Sequence, residues 1–428
     1  MARRFGIRFA LGVALTLAAF GLVCGGLFWA GQSSDSAEGF VVVLDAKPKG
    51  LDPRFVTSDA SAKLVGLLHA GLVSVDTRSG EPELELAKSI EQTSPTTYVV
   101  TLRPDLYFHD GEPLGAEDVE YTLTRLDSDT VQSPYGQTSR LIDEFRIEDD
   151  RHFTIELTEP HAPFKSKLAM GIVPEHICAG HSECPGEPVG AGPFAYVRQE
   201  GNHEYVFEPF ERYHAGKPAI DRLVFRVIED ANTRLLALLG KTVDLVQNAV
   251  APLMLPVVHE SDQLKVETDE SFKYTYIGFN LRHEILGSRR VRRAIAYGID
   301  RQAIIEHKFR GHATLSTGLL APTHWAYEPE VRRYPYRPEK ARELLDAAGY
   351  TRPAEGEPRF SIEFKVSSNK FRKSIAELIA QQLRRVGIAV RVRSYEWGTF
   401  FSDIKSGNFA MTSLQWPSVL DPSLYRWI

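Results

Sequence analysis

The sequence predicts a two-lobed α/β protein, and three observations lead there. The chain has 428 residues, beyond the ~250–300 at which a single hydrophobic core stops growing. Its first half mixes short strands and helices with antiparallel character. Its second half places strand, helix and strand at the spacing of a βαβ unit, which implies a parallel sheet. With 43% hydrophobic and 25% charged residues, the composition is that of a folded protein, neither disordered nor fibrous. Fifty Lys and Arg against 56 Asp and Glu give a net charge of −6. Read as both signs interspersed, that argues against a nucleic-acid binder. Three cysteines exclude a disulfide-dense scaffold.

The elements follow in order. Arg3, Arg4 and Arg8 precede a stretch without charge from Phe9 to Ala30, interrupted only by Thr16. This is an export signal, because basic residues stay inside while the apolar segment leads the rest across. It exceeds the ~7–15 residues of a signal core and reaches the ~17–25 of a spanning helix. Residues 9–30 are therefore a cleaved signal or a retained inner-membrane anchor. Lipid attachment at Cys24 is disfavoured, since Gly21 and Val23 stand where Leu and a small residue belong. A polar leader closes the segment 1–38.

Phe40–Leu44 reads as a strand and 47–53 as a turn region. Ala62–Leu72 reads as a helix stopped at Gly71, Tyr98–Leu102 as a strand, and Asp110-Gly111 as a turn. Ala116, Val119, Leu123 and Leu126 have helical spacing. Phe153–Leu157 and Leu223–Ile228 are strands, and Asn232–Leu239 is a helix apolar on one side. Two helices follow, Arg289–Tyr297 and Asp300–Phe309, the second capped by Asp300. Pro338–Ala348 is a helix ended by Gly349. Ser361–Val366, the amphipathic Lys373–Val386 closed by Gly387, and Ala389–Tyr395 make the βαβ unit. The economical division is a first lobe at 39–280, with an inserted subdomain, and a second at 281–428.

Phosphate loops, nucleophile elbows and zincin motifs do not occur. Gly190-Ala-Gly-Pro193 reads as a turn rather than a phosphate cradle. His176, Cys178, His181 and Cys184 could by residue type bind Zn²⁺. Export favours the other reading, a Cys178–Cys184 disulfide closing a small loop, because exported thiols are oxidised. Asp110, Glu112, Glu117 and Asp118 read as compensation of a helix N-terminus rather than an acid/base pair. Arg289, Arg290, Arg292 and Arg293 read as a solvated helix face.

Several strings occur together in one order. They are Leu51-Asp-Pro53, Gly71-Leu-Val73, Glu81-Pro82, Ala87-Lys-Ser89, and Leu102-Arg-Pro-Asp-Leu-Tyr-Phe-His-Asp-Gly-Glu-Pro113 with Ala116-Glu-Asp-Val119. Pro188-Val-Gly-Ala-Gly-Pro-Phe194, Asn280 before Arg289–Asp300, and Ala341–Tyr350 complete the set. From about Phe40 to its end the chain resembles the family 5 extracellular solute-binding proteins, the peptide and oligopeptide receptors of ABC importers.

The resemblance implies a bilobed periplasmic-binding-protein-like fold, type II, of the large peptide-binding class, hinged between lobes. It implies a monomer that needs no cofactor, no metal and no catalytic group. A peptide is held as an extended strand by main-chain hydrogen bonds, in roomy wet pockets. Closure over it makes the form that the permease subunits recognise. Ligand contacts carried over from the family fall on Thr57, Ser58, Asp59 and Tyr135 in the first lobe, and on Trp397 and Trp416 in the second. Where peptide-binding members place an Asp against the ligand's amine, this chain has Val419, so Asp59 or Asp421 substitutes or the ligand lacks a free amine. The family continues beyond residue 428, so the chain is expected to be truncated at its C-terminus. Alternative readings are the same fold binding a metal chelate, haem or oligosaccharide, and a periplasmic hydrolase or zinc protein built on the His176–Cys184 cluster.

Overall fold

This computed structural model describes residues 39–76, 80–324, 326–351, 354 and 356–416. The export segment 9–30, Val419 and Asp421 lie outside the described residues. Four sheets organise the rest. The first has five strands in the order Leu245–Val246, Phe40–Leu44, Leu223–Val227, Glu204–Pro209 and Phe194–Glu200. The second is antiparallel throughout, in the order Ala87–Gln92, Thr97–Leu102, His152–Leu157 and Ile142–Asp149. Val73–Val75 and Pro82–Leu84 form a two-stranded ribbon.

The fourth sheet runs Tyr274–Phe279, Met411–Trp416, Phe360–Ser367, Ile388–Tyr395. Its centre is the expected βαβ unit: Phe360–Ser367 pairs in parallel with Ile388–Tyr395, joined by the Lys370–Arg384 helix. Among the described residues, no sheet mixes strands from the two sides of 247–273. Cores follow the same division. Tyr98, Val100, Phe153, Phe164 and Leu123 pack under the antiparallel sheet. Leu64 and Leu68 press the Asp59–Leu68 helix onto Val42, Leu44, Phe207 and Phe225 of the five-stranded sheet. Ile295, Leu345, Phe364, Leu383 and Met411 fill the third core.

One local reading needs correction. The helix expected at Ala62–Leu72 runs from Asp59 to Leu68, because the Ser58 hydroxyl caps it by accepting from the Ser61 amide. Gly71 lies past its end, and a Cβ there would meet the Ala169 and Leu168 backbone at 2.8 Å. Its glycine serves close packing, not helix termination. The helix expected at Asn232–Leu239 forms as Ala231–Leu239, with Leu236 67% and Leu239 37% exposed. Gly190 and Gly192 also have a packing reason. Any Cβ on either would strike the Leu67 or Leu68 carbonyl, while the Gly192 amide donates to the Leu68 carbonyl at 2.8 Å.

Candidate functional site

The Leu51–Asp59 loop is built around a buried ion pair. Asp52 accepts from the Arg54 amide at 2.9 Å and takes its guanidinium through Nε (3.0 Å) and Nη2 (2.7 Å). Burial alone would raise the Asp52 pKa, but the Arg54 hydrogen bonds and charge hold it below the usual carboxylate range. The same carboxylate accepts from the Cys184 amide at 3.0 Å, and Arg54 Nη2 lies 3.2 Å from Cys184 Sγ. Cys184 is joined to Cys178 by a disulfide, with Cα atoms 4.4 Å apart. The disulfide loop is thereby fastened to the Leu51-Asp-Pro53 string. His176 bonds Asp110 through Nε2 at 2.8 Å, and no metal-binding group of His, Cys, Asp or Glu exists among the described residues. Asp118 is structural: it accepts from the Gly115 and Glu175 amides at 3.0 Å.

Thr57 is exposed and lines a polar cavity of about 170 Å³ with Lys49, Gly50, Asp52, Phe55, Ser61 and Glu183. That is below the ~300–1,000 Å³ of typical ligand pockets. Tyr135 flanks the same loop, its hydroxyl donating to the Val56 carbonyl. Burial raises its pKa. Asp59, first residue of its helix, accepts from Lys273 Nζ at 2.8 Å.

On the other sheet, Lys273 precedes Tyr274, which sits opposite Trp416 in register. Trp416 packs with Tyr274 and Ala326 on Leu319 and Leu320. Its indole N–H is buried without a hydrogen-bond partner among the described residues. Trp397 opens the Trp397–Ser406 helix and stacks on Phe401 at 5.5 Å between ring centroids. Its neighbour Glu396 caps that helix and pairs with Lys49 of the cavity wall at 2.8 Å.

Thr57, Ser58, Asp59 and Tyr135 thus form one patch, to which Lys273 links Trp416 and the Lys49–Glu396 pair links Trp397. Among the described residues no ring contact joins the two tryptophans. Lys49, Lys273 and Glu396 were not legible as site residues. Lys49 reads as part of a turn, and Asp59 and Lys273 are 214 residues apart.

Comparison with known proteins gives the family and the fold. Residues 81–427 match the model for bacterial extracellular solute-binding proteins, family 5 Middle. The chain is 25% identical to the oligopeptide-binding protein AppA of Bacillus subtilis, over 96% of this chain and 80% of that protein. It is 27% identical to the dipeptide-binding protein of Escherichia coli (90% and 77% covered). It is 29% identical to heme-binding protein A of Haemophilus influenzae (90% and 75%). The solved structure of Bacillus subtilis AppA in complex with a nonapeptide superposes with a TM-score of 0.83 at 24% identity, covering 90% of this chain and 80% of that one. NikZ of Campylobacter jejuni in complex with Ni(L-His) gives 0.82 at 23%, covering 90% and 79%. The fold is the bilobed, type II periplasmic-binding-protein architecture.

Proposed function

This chain belongs to the bacterial extracellular solute-binding proteins, family 5, and from that premise we propose that it is the peptide receptor of an ABC importer. A peptide enters the cleft between two lobes, divided near residue 280, and is passed intact to the permease subunits. What supports this reading is that Asp59 pairs with Lys273 and Lys49 with Glu396, both next to strands of the fourth sheet, while Tyr135 bonds the Val56 carbonyl beside Thr57. Peptide-binding names among its relatives support it. The protein acts outside the cytoplasm as a monomer, exported by residues 9–30, which are cleaved or retained as an inner-membrane anchor, and binds without catalysing.

Ligand contacts are assigned to Thr57, Ser58, Asp59, Tyr135, Trp397 and Trp416, with Asp421 as the second candidate for an amine counter-charge. The indole of Trp416, which packs on Leu319 and Leu320, is assigned to stack on the ligand. Trp416→Ala is expected to weaken peptide binding about tenfold by calorimetry while leaving the circular dichroism spectrum unchanged. Unaltered affinity removes Trp416 from the site. Native mass spectrometry of protein purified from the periplasm tests the whole reading. Co-purified peptides are expected, and a single non-peptide ligand overturns it in favour of a chelate or haem receptor.

A further inference from the structure

Nη1 of Arg54 is a buried nitrogen with no hydrogen-bond partner among the described residues, on a side chain that is fully enclosed. The rest of the guanidinium is in use. Nε and Nη2 hold Asp52, and Nη2 also donates to Cys184 Sγ at 3.2 Å. Asp52 in turn accepts from the Cys184 amide. Inert structural cysteines lie in apolar surroundings, whereas reactive ones sit partly exposed beside a cation. Cys178 is buried, but Cys184 is half-buried and touches that cation.

The other groups around the pair do not replace Arg54. Tyr121, from the Ala116–Thr124 helix, places its ring 5.9 Å from the guanidinium and donates its hydroxyl to the Cys178 carbonyl at 2.7 Å. His176 is held by Asp110, and Glu183 is exposed at the cavity wall. Arg54 also reaches the candidate contacts. Its carbonyl accepts from the Ser133 hydroxyl at 2.5 Å, and Ser133 Oγ accepts from the Tyr135 amide at 3.0 Å.

We propose that Cys178–Cys184 is a redox-active pair, opened by a dithiol reductant, in which Arg54 receives Cys184 as a thiolate. The reductant's thiolate bonds to Cys184 Sγ. The Cys178–Cys184 bond breaks, and its electron pair goes to Cys178, which takes a proton. The reductant's second thiol then loses its proton, bonds to the reductant's first sulfur and expels Cys184 as a thiolate. Two electrons enter the protein, and the reductant departs as a disulfide. The free Nη1 meets the new charge without taking a donor from Asp52, which favours the open form. Opening releases Glu183 from the cavity wall and loosens the anchor shared by the Thr57–Asp59 loop and Tyr135.

In Cys178→Ser protein, alkylation of Cys184 by iodoacetamide is followed by peptide mass spectrometry. It should slow less than about twofold between about pH 8.5 and 7, whereas an ordinary thiol slows about tenfold or more. The same variant in urea supplies the ordinary profile, and an ordinary profile in the folded protein overturns the inference. Adding Arg54→Gln should restore the steep profile in protein that circular dichroism shows to be folded, and a level profile there overturns the role of Arg54. Where that variant does not fold, the urea comparison decides alone. Wild-type protein should open in millimolar dithiothreitol without denaturant, and amide exchange at 51–59 and 133–135 should rise about tenfold. Resistance to dithiothreitol, or equal exchange in both redox states, overturns the proposal. None of these readouts depends on the solute being a peptide.

Discussion

Residues 39–280 carry 22 Lys and Arg against 39 Asp and Glu, a net −17, whereas residues 281–428 carry 25 against 15, a net +10. The signs are segregated, not interspersed as the whole-chain figure of −6 implies. Yet each region buries a cation that holds a carboxylate. In the acidic region it is Arg54, whose side chain is 1% exposed and whose partner Asp52 is 6% exposed. In the basic region it is Lys365, 7% exposed, bonded to Asp403 at 2.8 Å and to the Asn408 carbonyl at 2.6 Å. Asp403 is 21% exposed. The difference teaches that regional charge does not decide which pairs matter: sealing from water does.

The sharpest way to break this comparison is to remove each acid. Asp52→Ala leaves Arg54 charged in a dry site and unfastens the disulfide loop. A loss of about 3–5 kcal/mol in urea unfolding is expected. Asp403→Ala leaves Lys365 near water with a carbonyl still bound, and its midpoint should move distinctly less. Equal losses would show that exposure is not the discriminating variable.

Acid sharpens it next. His69 is fully enclosed in the first region, and burial, with help from nearby His109, lowers its pKa to about 4. The folded state keeps it neutral, while the unfolded chain takes up a proton below about 6.5. The unfolded state thus binds more protons between about pH 6.5 and 4, and stability falls as pH drops through that window. The expected loss is about 3 kcal/mol, and His69→Gln should flatten the profile. A wild-type stability independent of pH across the window would refute this.

Backbone approach gives the third contrast. Gly190→Ala drives a methyl into the Leu68 carbonyl, which cannot yield. The cost should reach about 2–3 kcal/mol in chemical denaturation. Gly298→Ala meets only the tips of Leu383 and Val386 at 3.2 and 3.3 Å. Those side chains can shift, and helix propensity returns about 0.5–1 kcal/mol, so a change within about 1 kcal/mol is expected.

These sites also mark how much could be seen in advance. The βαβ unit was legible because Ile375, Ile379 and Leu383 keep helical spacing and Gly387, at a φ of 90°, stops the helix before the strand. Asp300 as a cap was legible for the same local reason, and it accepts from the Ala303 amide at 3.0 Å. Cys178 and Cys184 are six positions apart, so their pairing needed only compartment and spacing. What they brace was hidden, because Asp52 lies 132 residues from Cys184. Gly71, Gly190 and Gly192 read locally as punctuation. Only the fold shows that other backbone occupies the space a Cβ would need. Of the candidate site, the proposed residues rest on the family resemblance, while Lys273 and Glu396 depend on tertiary placement that no local pattern encodes.

The smallest effect concerns the bridges between the two oppositely charged regions. Lys370 reaches Asp230 at 3.2 Å, following the regional charges, but Lys49 and Glu396 run against them, a cation from the acidic part meeting an anion from the basic part. Both pairs are solvated, with side chains 44–90% exposed, so salt screens them within a Debye length of about 10 Å at 0.1 M. Lys49→Ala should change peptide affinity by less than about twofold at that ionic strength, and Lys370→Ala by no more. The regional attraction is longer-ranged and includes many charges, so the wild-type melting temperature should still fall as NaCl rises from a few millimolar, and single removals should barely alter that slope. A slope abolished by Lys370→Ala alone would mean that one contact, rather than the field of −17 against +10, holds the two regions' charges in register.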